Sequence, residues 1–340
     1  MFTLYITDTV YDKVVHEEEK KAADARSYLY KLLHLKEMKT RTQTLVQTQK
    51  LTAAETTHLR NFPKELLRNP SSLYILDITP AEAREMQETY GVMCLSGEQP
   101  DISRLIDIND IHIALEREPL GRGWDSVLDS VETLPSNALL LTDRYLFQND
   151  TPQHGDGFAN VLSILHEVLP QRFFGGEYHV TIVFDIEKTH QPFEKIAIQL
   201  NRQKKKLARN YPIMMEVLGI TSSASIYNKL HNRYIISNYF LVEAAHKLAA
   251  FNGDIGTARQ TLLPLALFTE SSLNGTSTSP LKAIEQTLDA FRRFSNSLAY
   301  LTDHNIYHYA VNGQVLDKCE RLRNRMLKSF YTLTMNPKTN

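Results

Sequence analysis

The chain has 340 residues, 42% of them hydrophobic and 23% charged. Lys and Arg number 38 against 39 Asp and Glu, a formal net charge of -1, which excludes a global field for nucleic acid or membrane and leaves only local anion-binding surfaces. Two cysteines, Cys94 and Cys319, exclude a disulfide framework and a cysteine-built zinc site, and read as small buried apolar residues. The length exceeds the ~250–300 residues at which a single core stops growing, so about two domains are expected. No run approaches the ~20 apolar residues of a membrane span. The first 30 residues are amphipathic and charged (HEEEKK at 16–21) rather than signal-like, so no membrane and a cytoplasmic location are expected.

In chain order, residues 2–7 (FTLYIT) predict a strand and residues 11–36 a long helix. The Thr/Gln-rich stretch 37–60 reads either as a helix pair or as a loose connection. Residues 72–78 (SLYILDI) predict a strand. Thr79 then caps a helix with Pro80 at its first position, Gly91 stops it, and 92–95 predict another strand. Strand, capped helix, strand is the signature of an α/β domain, set at 1–130.

A second α/β unit, 131–268, begins with a strand over 138–147 (ALLLTDRYLF). A turn-rich loop, a helix at 158–169, a strand at 178–186 and a helix at 192–210 follow. Residues 213–220 and 230–240 predict two more strands, and 244–250 a short helix. Residues 269–280 (TESSLNGTSTSP) read as a mobile loop, and 281–340 as C-terminal helices over 281–301 and 315–331.

The segment 230–240, LHNRYIISNYF, carries the most chemistry. On a strand, residues two apart share a face, which sets His231 beside Arg233. Arg presents a planar fork of donors to phosphate oxygens, and His can attack phosphorus or move a proton near neutral pH. His-x-Lys/Arg triplets also stand at His34 and His58, and about one is expected by chance, so the strand context is what singles out the third.

His231, Arg233 and Asn238 resemble the His-x-Lys, four residues, Asp motif of the phospholipase D-like phosphodiesterases and nucleases, and 138–240 resembles that family's α/β half-domain. The resemblance implies a histidine nucleophile at 231, a phosphate clamp at 233, an orienting group at 238 and no metal or other cofactor. Arg stands in place of Lys and Asn in place of the acid. The family's downstream Gly-Ser-x-x-Asn and a second motif are missing, so the pattern is that of a degenerate member. Asp143, near the end of its predicted strand, is a candidate for the missing acid, and Asp185 ends the next strand in the same way.

Two basic faces accompany the motif. The helix 192–210 sets Lys195, Arg202, Lys205, Lys206 and Arg209 opposite Phe193, Ile196, Leu200 and Leu207. The helix 315–331 sets Lys318, Arg321, Arg325 and Lys328 beside Val315, Cys319, Leu322 and Met326. A solvated helix face would read the same way. Asp303, His304 and His308 lack the Glu and the third ligand of a zinc motif, so no metal site is expected. The expected class is thus two α/β domains, the second phospholipase D-like, followed by C-terminal helices. The expected function is binding of nucleic acid or another phosphate-bearing ligand, with the helix 192–210 as approach surface, in a subunit of a bacterial, defence-related assembly. Two alternatives stay open: an active metal-independent nuclease working as a homodimer, and a structural subunit docking a partner protein through its C-terminal helices.

Overall fold

The computed structural model describes residues 2–35, 44–107, 113–115, 123–125, 127–128, 134–148, 150, 156–245, 247–251, 260–275, 279–298, 307–316 and 320–328. Strand β1 (Phe2–Thr7) is buried on both faces and leads without a loop into α1 (Asp8–Glu18). The expected helix over 11–36 is broken. The buried Glu18 carboxylate accepts the Ser27 N–H at 2.8 Å and pairs with Lys21, a 3-10 turn spans Ala23–Ala25, and Ser27 caps a separate α2 (Tyr28–Leu33). The stretch 37–60 is neither a helix pair nor a loose connection where it is described. It forms β2 (Val46–Leu51) and α3 (Ala53–Asn61), the latter opened by a Thr52–Glu55 capping box. After a 3-10 turn at Pro63–Arg68 come β3 (Ser72–Leu76), α4 (Pro80–Tyr90) and β4 (Met93–Ser96). Thr79 caps α4 and Gly91 ends it at φ 59°, as the sequence predicts. The four strands form a parallel sheet in the order β2-β1-β3-β4.

The larger sheet is mixed. Its strands follow β5 (Ile106–Asp107), which among the described residues pairs only with a later short strand. They are β6 (Ile113–Leu115), β7 (Ala138–Thr142), β8 (Tyr178–Asp185), β9 (Ile213–Ile220), β10 (Arg233–Ser237), β11 (Phe240–Ala244), β12 (Gln260–Ala266), then, past β13 (Phe268–Thr269, the partner of β5), β14 (Tyr307–Val311) and β15 (Gln314–Val315). Among the described residues the order is β15-β14-β9-β8-β7-β10-β11-β12-β6. Strands β7, β8 and β9 are parallel, and β10 returns antiparallel beside β7. The chain before residue 130 therefore supplies strands to both sheets.

Helices α5 (Asp156–Val168) and α6 (Phe193–Lys205) cover the face of β8 that carries Tyr178, Val180, Ile182 and Phe184. Phe184 meets Phe147 at 4.9 Å and Phe193 at 6.3 Å. A one-turn α7 (Glu270–Leu273), capped by Thr269, stands where a mobile loop was expected at 269–280, of which 276–278 lie outside the described residues. Then α8 (Pro280–Leu298) runs as predicted. The opposite face of β8 carries His179 and Thr181 and is covered by 320–328.

That covering segment is not the expected helix over 315–331. Residues 320–324 are irregular and only Arg325–Leu327 form a 3-10 turn, while 317–319, with Lys318 and Cys319, and 329–331 lie outside the described residues. The cause is a buried carboxylate. Glu216, in mid-strand, accepts the Arg323 and Asn324 backbone N–H groups at 2.6 and 3.1 Å and the Thr181 and Tyr309 hydroxyls, which draws the chain out of helical bonding. The helix expected over 244–250 is also absent: Ala244 ends β11, and the described residues after it are irregular. Asp303 and His304 lie outside the described residues, and His308 stands on β14. Cys94 is buried.

Candidate functional site

Strand β7 stops at Thr142, five residues before the predicted end, because the Asp143 side chain turns the chain by accepting the Tyr145 N–H at 2.8 Å. The segment 230–240 is not one strand. His231 ends a 3-10 turn (Tyr227–His231), Arg233 opens β10, and Asn238 and Tyr239 form the turn into β11. Since β10 runs against β7, its start lies where β7 and β8 end. Arg233, Asp143, Arg144, Asp185, Tyr227 and His231 therefore meet at one sheet edge, the end of the parallel strands where α/β sites collect.

Two fully buried carboxylates support the cluster from below. Asp143 accepts the N–H groups of Tyr145 and Leu248 (2.6 Å) and lies 3.9 Å from the Arg233 Nε. Burial pushes its pKa up to about 6, against the pull of those amides and of Arg233. Asp185 accepts from the Glu187 N–H at 2.9 Å, the Tyr227 hydroxyl at 2.8 Å and the Arg144 Nε at 3.4 Å. The Arg144 guanidinium lies 4.4 Å from the Tyr227 ring centre, and both Arg144 and Arg233 lie close to the Tyr145 ring, at 5.6 and 5.7 Å.

The upper side is a set of donors. Arg144 Nη1 stands 3.3 Å from His231 Nε2. A guanidinium cannot accept, so Nε2 is the acceptor and the ring proton is assigned to Nδ1. Arg233 Nη1 donates to the backbone oxygens of Ala245 and His231, and its Nη2 has no partner among the described residues. The Arg144 and Arg233 side chains are mostly buried, 17% and 20% exposed, and the exposed His231 stands beside them at the edge.

The sequence pattern sets His231 beside Arg233 on one strand; His231 instead ends a 3-10 turn and Arg233 opens β10, and both lie at the edge that also holds Asp143, the proposed acid. Asn238 does not join them. It lies at the far end of β10, about 16 Å away for a five-residue strand. There its Oδ1 accepts the Asn137 and Ala138 N–H groups at 2.9 and 3.1 Å, and its Nδ2 donates to Pro70 O at 3.0 Å. It has no place beside the imidazole. Among the described residues no carboxylate bonds to the His231 ring. Tyr227 and the part played by Arg144 go unread in the sequence, although a charge at the end of each of two adjacent predicted strands is the signal that marks the place.

The two basic faces change as well. Helix α6 returns from the end of β8 to the start of β9, so its lysine-rich end sits at the sheet edge away from His231, and it is not an approach surface to the cluster. Lys195 stands near the helix start, while Arg202, Lys205 and Lys206 are exposed toward its end. Arg209 is engaged instead, donating to His166 O at 2.7 Å and Leu169 O at 3.1 Å at the close of α5. Arg321, Arg325 and Lys328 share no helix face. Arg325 is packed over Phe173 and bonded to Glu177 O. Among the described residues no three His, Cys, Asp or Glu side chains gather as metal ligands, and no helix is long and apolar enough to cross a membrane.

No protein-family model matches the chain, and no curated protein matches it.

Proposed function

We propose that the edge cluster of Arg144, His231 and Arg233 binds the phosphate of a nucleic acid or another phosphate-bearing ligand without cleaving it. The carrying observation is the Arg144–His231 contact: the Nε2 lone pair that would attack phosphorus accepts a hydrogen bond from a guanidinium, while Nδ1–H is left to donate. The same cluster supports the phospholipase D-like reading of 138–240 as a degenerate one: the imidazole and the clamp share an edge, but the residue at the acid's position is used elsewhere.

Calorimetric titration with inorganic phosphate and a phosphodiester tests this, alongside a cleavage assay in EDTA. The expected result is binding that falls about tenfold to hundredfold in Arg233→Ala, the loss of a charge-assisted hydrogen bond, with no turnover. Turnover abolished by His231→Ala would replace this reading with the homodimeric nuclease. No binding would leave the structural-subunit reading.

A further inference from the structure

The opposite edge of the same sheet carries a second basic surface. Glu177 precedes β8 and Asp185 ends it, so the two edges are about 25 Å apart for an eight-residue strand. Three segments converge at the Glu177 end. The close of α6 brings Lys204, whose Nζ donates to Ile213 O at 2.9 Å and Asn312 Oδ1 at 2.6 Å, followed by the exposed Lys205 and Lys206. The covering segment brings Arg325, bonded to Glu177 O, and then the exposed Lys328. The Arg325 bond to Glu177 O and the Lys204 bond to Ile213 O, beside the start of β8, hold the two segments at this end of the sheet. The loop before β8 brings Phe174. Its N–H is held by Thr89 O at 2.9 Å, yet its side chain is among the few large apolar ones exposed, at 61%.

We propose that this edge, where the end of α6, residues 325–328 and the Phe174 loop meet around Glu177, binds single-stranded nucleic acid. Lys205, Lys206 and Lys328 neutralise phosphates there, and Phe174 offers a face on which a base stacks. A docked protein would want an apolar centre with a charged rim. This surface shows the reverse: hydrated lysines on anchored backbone with one exposed ring at the side. That combination of basic track and aromatic platform suits an unpaired strand. A duplex offers no free base to Phe174. The assignment is independent of the phosphate cluster at the other edge.

Fluorescence anisotropy with a labelled 15-residue oligo-dT, read over a range of salt on the full chain, tests the proposal. The triple variant Lys205→Ala, Lys206→Ala, Lys328→Ala should bind at least tenfold more weakly. It should also shallow the log–log salt slope by about 0.7 for each phosphate contact removed. Phe174→Ala should lose about tenfold with the slope unchanged. All four residues are exposed, and circular dichroism should show the variants folded. The proposal is overturned by no binding, by binding untouched in these variants, by equal affinity for duplex, or by displacement with poly-glutamate at equal charge, which would mark an acidic protein as partner.

Discussion

Arg144 gives its three nitrogens to three different groups, Asp185, Tyr227 and His231, and so fixes the imidazole tautomer as well as its own position. Arg233 is less constrained, and it is the guanidinium with donors to offer. Its nearest carboxylate, Asp143, has a pKa pushed up to about 6 by burial. Below that pH the carboxyl is neutral, the charge of Arg233 is uncompensated, and an anion should bind more tightly. Sulfate is the clean probe because it stays a dianion across the range. Its affinity should rise a few-fold from pH 7 to pH 5. In Asp143→Asn it should be high at both, with a much smaller rise; an unchanged rise in that variant would remove Asp143 from the account. Legibility at this scale was mixed. Residue identity singled out His231 and Arg233, but the strand parity used to pair them does not hold, because His231 ends a 3-10 turn. The side-chain bond by which Asp143 turns the chain, and the fold-back that delivers Tyr227, are tertiary facts that no local pattern encodes.

Strand β10 divides the motif between two tasks. Its start faces the cluster of Arg144, His231 and Arg233, and the turn after it plugs into the parallel sheet of the N-terminal part. There the Tyr239 hydroxyl donates to Ser72 O and accepts the Met93 N–H, each at 2.7 Å. Asn238 and Asn137 pair in the same place, and Asn137 also closes α4 by donating to Gly91 O at 2.8 Å. Asn238→Ala would strand buried N–H groups of Asn137 and Ala138, a loss of about 2–4 kcal/mol in denaturant unfolding. Phosphate affinity should stay as in the wild type; a large fall in affinity without lost stability would return Asn238 to the site. Elements with local signals were readable: the Thr79 cap, Gly91, and the α5 and α6 stripes. Those set by distant partners were not. The 11–36 helix yields to the Glu18–Ser27 bond, and the predicted 230–240 strand folds into a hairpin because Asn238 bonds Pro70 just before β3 and Tyr239 bonds Ser72 in the other sheet.

Across the whole molecule, the larger sheet carries polar groups within its buried face that tie the last described segment down. Glu216 is one, its pKa raised by burial in spite of four donors. Thr181, which accepts from Asn324 Nδ2 at 3.1 Å, is another, and so is His179. Burial, with Arg325 and Lys328 beside it, pulls its pKa down to about 3, so it is neutral when its Nδ1 accepts the Arg325 N–H at 3.0 Å. An unfolded chain binds that proton near pH 6.5, so the stability His179 contributes is fully present above 6.5 and is lost as pH falls toward 3. In urea unfolding, the stability difference between wild type and His179→Gln should narrow over that window; a difference constant with pH would contradict the assignment. The two sheets were foreseeable as an α/β chain, but the extended path of 320–324 was not, because its cause, Glu216, lies more than 100 residues earlier. What the larger sheet holds at its other edge rests on one imidazole, and long-range proton–nitrogen NMR of His231 reads it directly. The Arg144 contact predicts the ring proton on Nδ1 with Nε2 as acceptor, and an Nδ1–H resonance that moves when phosphate is added. A proton on Nε2, with Nδ1 held by another group, would contradict it and reopen His231 as a nucleophile.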